Sequence, residues 1–211
     1  MRFVAVGAAE NRAALDLCPL GVDAEFVDAA VRPDLVERYL SANQRAFAPP
    51  LSLPGWVLVD LYLMPGAVGM ILEGDDIVAA YVAVPTVLPG QVMGVSLFCH
   101  RPGMRLGETV KRLTLAMLRA TSQVGITQWN NPAIATHCRI GPMRVLGPAP
   151  EIHGAKRSFR YRIELNGERP VGREVVIAGD VESVVREWML EGAVWIVRGG
   201  PGGLTLVFVR E

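Results

Sequence analysis

The sequence predicts an α/β chain of the α+β kind, a mixed, mostly antiparallel central sheet flanked by helices, with a small C-terminal β-α-β-β appendage. Three observations predict it. Apolar runs at 67–72, 77–84 and 92–99 are separated by Gly74-Asp75-Asp76 and Pro89-Gly90, which describes a meander. Two stretches, 33–47 and 106–120, place their apolar residues at helical spacing. A short helix, punctuated at both ends, follows the strand-like segment 126–129.

Along the chain, residues 3–6 form a strand candidate, and the rest of 1–30 is weakly patterned and has no assigned arrangement. Leu35, Val36, Tyr39, Leu40 and Phe47 then line one helical face, with Pro33 near the start and Pro49-Pro50 forbidding continuation. A further strand is expected at 56–63, ahead of Pro65-Gly66, and opens the meander. In 106–120, Leu106, Val110, Leu113 and Met117 make one stripe, with Lys111, Arg112 and Arg119 largely off it. Strands are expected at 143–146 and 159–165, joined by a loop that contains His153. Residues 166–172 read as a boundary, so the main domain is expected to span 1–166 and the appendage 167–211. The appendage comprises strand 174–177, helix 181–190, and strands 193–197 and 204–209.

Composition bounds the function. With 211 residues and 51% hydrophobic side chains the chain can bury a sizeable core. Lys plus Arg equals Asp plus Glu at 21 each, so no overall field favours nucleic acid or an anionic membrane. Cys18, Cys99 and Cys138 are odd in number and lack C-x-x-C spacing, which argues against a disulfide framework and a zinc site and suits a reducing, cytoplasmic setting. Glu10, Arg12 and Asp16 interrupt the amino-terminal apolar run too early for a signal peptide. No segment approaches the roughly 20 uncharged apolar residues that cross a bilayer.

The stretch N-N-P-A-I-A-T-H-C-R-I-G at 130–141 carries the chemistry. Asn131 is placed to cap the helix, Pro132 suits its first position, and Gly141-Pro142 ends it. Asn130 lies where a strand leaves the sheet and a helix begins, a place that ligands favour in α/β proteins. The element order over 33–165, together with this stretch, resembles the GNAT superfamily of N-acyltransferases. That family's fourth helix has an Asn at the strand end, a small residue three later, Tyr seven later and Gly eleven later. Asn130, Ala133, His137 and Gly141 hold those places, so three of four match and His stands for Tyr.

The resemblance implies that Asn130 helps hold the pantetheine arm of acetyl-CoA, the cosubstrate, and that His137 protonates the departing thiolate. Imidazole, with a pKa near neutrality, can give such a proton and recover it. Both residues also suit structural roles, His137 through a local hydrogen bond and Asn130 by shaping the loop. The family's second signature is a loop, Arg or Gln, two residues, Gly, one residue, Gly or Ala, whose amides bind the CoA pyrophosphate. Arg101, Gly103, Arg105 and Gly107 supply the right residue types out of register. Backbone donors at a helix start attract phosphate, and either arginine can add charge-assisted hydrogen bonds. Pro102 lacks a donor and a bulky residue stands where Gly is expected, so a solvated turn is the alternative.

An attacking amine must be neutral, which calls for a base. Asp60, Glu73 and His100 are candidates without a distinguishing signal. Cys99 and His100 are neighbours on a strand and point to opposite faces, which disfavours a Cys-His pair. His100, His137 and His153 show no metal-ligand spacing, so no metal is expected. Trp129 suits either substrate stacking or the core. The turn R-G-G-P-G-G at 198–203 has neither a following helix nor a Lys-Ser/Thr pair and reads as a hairpin rather than a phosphate loop.

The expected function is acyl-CoA-dependent N-acyl transfer, most simply of acetyl from acetyl-CoA to an amine acceptor. A catalytically inactive GNAT-like binding protein and a transferase with a non-CoA donor, such as an aminoacyl-tRNA, are the alternatives. The appendage could cover the sheet, form a homodimer contact or bind the acceptor. Segments 33–54 and 147–158, where that family builds acceptor pockets, carry no motif that names the amine.

Overall fold

A computed structural model describes residues 1–9, 12, 16, 22–47, 67–101, 103–149, 157–200 and 202–210. The strand expected at 56–63, with Asp60, and the residues Cys18, Pro102 and His153 lie outside the described residues. The chain forms two compact units, Met1–Ala120 and Thr121–Glu211.

The first unit contains β1 (Arg2–Gly7), β2 (Ala24–Asp28), α1 (Pro33–Ala46), β3 (Ala67–Glu73), β4 (Asp76–Pro85), β5 (Gln91–Cys99) and α2 (Leu106–Met117). Its strands lie in the order β2-β1-β3-β4-β5. β1 and β2 run parallel, from Phe3 opposite Ala24 to Gly7 opposite Asp28, and the other pairs are antiparallel. The meander follows from the turn signals: β3 and β4 meet at Gly74, whose positive φ of 59° suits glycine.

β4 is buried without a break from Ile77 to Val84, because both of its faces are covered. Successive side chains alternate between faces. Ala80, Val82 and Val84 join Val4, Val6, Val68 and Met70 in a core closed by Leu35, Tyr39 and Ala42 of α1. Each fully buried large apolar side chain there contributes roughly 1.5–3 kcal/mol. Tyr81 points the other way, where Lys111 of α2 lies with Nζ 5.7 Å from the ring centre. Gly69 has a packing reason, since a Cβ there would collide with Thr114 Oγ1 of α2. α2 ends three residues before the expected 120.

α1 is tied to β5 by polar groups as well. Buried Asn43 donates through Nδ2 to Ser96 Oγ at 3.0 Å, and the Tyr39 and Phe98 rings are centred 5.7 Å apart. Burial pushes the Tyr39 phenol up to about 12, against weaker opposing hydrogen bonds from Ser96 and Asn43.

The second unit contains β6 (Ser122–Gln128), α3 (Ala133–Ile140), β7 (Met143–Pro148), β8 (Ser158–Glu164), β9 (Arg173–Ile177), α4 (Val181–Trp188), β10 (Gly192–Gly200) and β11 (Gly203–Arg210). The strand order is β6-β8-β7-β10-β11-β9 and the pairs are antiparallel. The β-α-β-β order expected for 167–211 is present as β9, α4, β10 and β11. These elements lie in the same compact unit as β6–β8, and β10 pairs β7 through Trp195 opposite Arg144 and Ile196 opposite Met143.

β6 starts at Ser122, four residues before the apolar run that marked it, and its buried phase is Gln123, Gly125 and Thr127. Ile126 faces outward. The Arg198–Gly203 segment is a hairpin as expected, with Gly200 opposite Gly203. Gly203 adopts φ 116°, and a Cβ there would collide with the Ile177 carbonyl. α4 is capped by Asp180, whose carboxylate accepts from Ser183 Oγ at 2.7 Å and from Arg157 Nη2 at 2.7 Å. No helix among the described residues is long and apolar enough to cross a membrane.

Candidate functional site

In the second unit the candidate residues are built on the turn from β6 into α3. Asn131 Oδ1 accepts from the Ala133 amide at 2.9 Å, and Pro132, at φ −61° and ψ −20°, already has helical backbone. Asn131 is thus the cap that the sequence predicts, with proline at the first helical position. Gly141 ends the helix for a different reason from the one expected. Its φ of 177° is extended rather than left-handed, and glycine is required because a Cβ would lie 2.7 Å from the Glu164 carbonyl oxygen.

α3 buries Ile134, His137 and Ile140 on one side. His137 retains 5% of its surface. Its Nε2 lies 3.4 Å from Tyr161 Oη on β8, with ring centres 5.2 Å apart. Tyr161 Oη accepts from Gln123 Nε2 on β6 at 2.9 Å. Gln123 is fully buried, and its Oε1 has no hydrogen-bond partner among the described residues.

Burial pushes the Tyr161 phenol far above its ordinary range, with the Gln123 hydrogen bond a smaller opposing influence. Tyr161 is therefore a phenol, not a phenolate, and its proton is available to an acceptor. Tyr161 and Gln123 are the residues that the sequence reading missed. The signal was the cross-strand register, which puts Tyr161 opposite Gly125 and its hydroxyl over the glycine.

Asn130 stands exposed in the turn just after β6. Beside it, Trp129 stacks on Phe159 at 3.9 Å between ring centres, so its ring packs on its own unit.

In the first unit the candidate residues lie on the loop from β5 into α2. Gly103 has φ 87° and Arg105 φ 54°, so the loop enters the helix through two left-handed residues. Arg105 occupies the N-cap position and no side chain caps the helix. The leading amides of α2 have no acceptors within the helix, which suits an anion. Gly107 is buried in the first turn, with its Cβ position 3.5 Å from Cys99 Cβ. Glu108 in the same turn opposes a phosphate by charge, and it accepts from Arg112 Nε at 3.0 Å.

Arg101 pairs with Glu73, which engages the expected anion-binding arginine and one candidate base with each other. The Cys99 and His100 side chains diverge. Cys99 Sγ donates to the Arg101 carbonyl at 3.2 Å, whereas His100 Nε2 lies 3.1 Å from the Ala42 carbonyl on α1. Within the first unit, Arg101, Gly103, Arg105 and Gly107 share one loop and helix start. Within the second, Asn130 and His137 share one turn and helix.

No protein-family model and no curated protein sequence matches the chain. Solved structures do. The chain is similar to the GphF GNAT-like decarboxylase in complex with isobutyryl-CoA, with a TM-score of 0.53 and 12% identity over 64% of this chain and 97% of that one. It is also similar to the NatC complex bound to Gag peptide and CoA, with a TM-score of 0.52 and 11% identity over 62% of this chain and 91% of that one. At such identities the likeness speaks for the architecture, and its conclusion is that this chain has the GNAT fold.

Proposed function

We propose that the protein is an acyl-CoA-dependent N-acyltransferase, moving acetyl from acetyl-CoA to an amine. The observation that carries the reading is His137. A proton-bearing side chain occupies the family's acid position on α3 and touches a second polar group, Tyr161. In this reading the neutral amine attacks the acyl carbonyl, the carbon–sulfur bond breaks, His137 as imidazolium gives a proton to the departing thiolate, and the proton shed by the new amide nitrogen passes to solvent. Asn130 binds the pantetheine arm. The uncapped start of α2, from Gly103 to Gly107, with Arg101 and Arg105 supplying charge, takes the pyrophosphate. Both solved structures above hold a CoA species, isobutyryl-CoA in one and CoA in the other, which supports this ligand class.

Calorimetric titration with acetyl-CoA and a thiol-release assay over a panel of amines test the proposal. Absence of binding at millimolar CoA overturns it.

A second reading, a GNAT-fold binding protein without catalysis, draws on the burial of His137 and the Arg101–Glu73 pair. It expects no thiol release with any amine, even where CoA binds.

A further inference from the structure

The geometry points to Tyr161 as the positioning residue that fixes the tautomer and orientation of His137, an inference that rests on the acyl-transfer reading only for its catalytic consequence. Two contacts set the direction of the protons. Gln123 Nε2 is a donor only, so at 2.9 Å it occupies a lone pair of Tyr161 Oη and leaves the phenolic hydrogen to point elsewhere. The imidazole nitrogen that faces that oxygen is Nε2 of His137, at 3.4 Å. A phenol held protonated by burial donates to Nε2 only when Nε2 carries a lone pair, so the imidazole proton resides on Nδ1.

The fold builds the contact rather than leaving it to a flexible side chain. Tyr161 is 2% exposed and His137 5% exposed, and both are locked among packed neighbours. Gln123, Gly125 and Tyr161 lie on two strands paired in continuous register from Ser122 opposite Glu164 to Gln128 opposite Ser158. Any side chain at Gly125 would enter the space that the hydroxyl occupies. The arrangement follows the logic of a base held in one tautomer by a third group.

Imidazole nitrogen NMR on histidine-labelled protein tests this without requiring turnover. Wild-type His137 is expected to show a protonated Nδ1 and an unprotonated Nε2, and Tyr161→Phe is expected to shift the population toward Nε2–H. Gln123→Leu, which keeps the phenol but removes its orienting donor, should shift it in the same direction by less. In the acyl-transfer assay, Tyr161→Phe should lower kcat about tenfold, a fraction of what a positioned proton donor contributes, with KM for acetyl-CoA unchanged.

An Nε2–H tautomer in the wild type, or a tautomer that Tyr161→Phe leaves unchanged, overturns the inference. An Nδ1–H tautomer that responds to both variants upholds it even in a protein that releases no thiol, and that result overturns the acyl-transfer reading alone.

Discussion

Gly125 and Tyr161 face each other across β6 and β8, and the Tyr161 hydroxyl lies over the glycine so closely that a Cβ would be 2.6 Å from its oxygen. The side chain missing at one position makes room for the functional group of the other. Gly125→Ala should therefore displace the hydroxyl from Gln123 and His137. The overpacking should cost about 1–3 kcal/mol, read as a lower urea midpoint at unchanged slope. The alanine variant should reproduce the tautomer shift of Tyr161→Phe. If the midpoint falls and the tautomer stays as in the wild type, the glycine serves packing only.

His137→Phe keeps the size and shape of a ring on the buried side of α3 and removes its proton chemistry. Under the acyl-transfer reading kcat should fall roughly a hundred- to ten-thousand-fold, and the affinity for CoA measured by calorimetry should change by less than about twofold. A parallel loss of CoA affinity would mean that His137 holds the ligand rather than acts on it. The substitution also leaves Tyr161 Oη without its imidazole partner, so stability should fall by about 1 kcal/mol.

Arg105 pays for its place at the head of α2 with a left-handed backbone, φ 54°. Glycine adopts that conformation without the Cβ penalty but loses more chain entropy on folding. The difference predicts that Arg105→Gly stabilises the protein by about 0.5 kcal/mol. If Arg105 contributes a charge-assisted hydrogen bond to the CoA pyrophosphate, the same variant should bind CoA about tenfold more weakly. Stability and affinity thus move in opposite directions, and calorimetry with thermal unfolding on one sample reads both. A variant that is more stable and binds CoA as before would remove Arg105 from the ligand site.

What was legible in the sequence had strong periodicity behind it. The run 77–84 read as a strand because both faces of β4 are covered, and the α1 stripe read correctly because Leu35 and Tyr39 are core residues. β2 has one buried residue, Val27, in five, too little pattern to mark it. β6 was misplaced because its inward phase is Gln123, Gly125 and Thr127, while the apolar Ile126 that drew attention faces outward. His137 was legible from local spacing within one turn and helix. Its partner Tyr161 was not, because the contact spans 24 positions and depends on strand register rather than on any sequence interval. Gly141 was recognised as a helix end, but the close approach of Glu164 that demands it is a tertiary fact.

Tyr39 and Tyr161 predict how the protein fails in alkali. Burial raises both phenols, Tyr39 to about 12 and Tyr161 in the same direction. In the unfolded chain a tyrosine ionises near pH 10. The folded state therefore holds protons that the unfolded state releases, and the stability that this represents is fully present below about pH 10 and lost as pH rises through the folded values. Phenolate absorbance and circular dichroism followed together against pH should show these two tyrosines ionising with the loss of structure, not ahead of it. Tyr39→Phe removes one group whose ionisation draws the chain toward the unfolded state, so the alkaline transition should shift to higher pH and become less steep. Gradual ionisation of Tyr39 in the ordinary range, with the circular dichroism intact, would show that α1 does not exclude water from β5 as its packing requires.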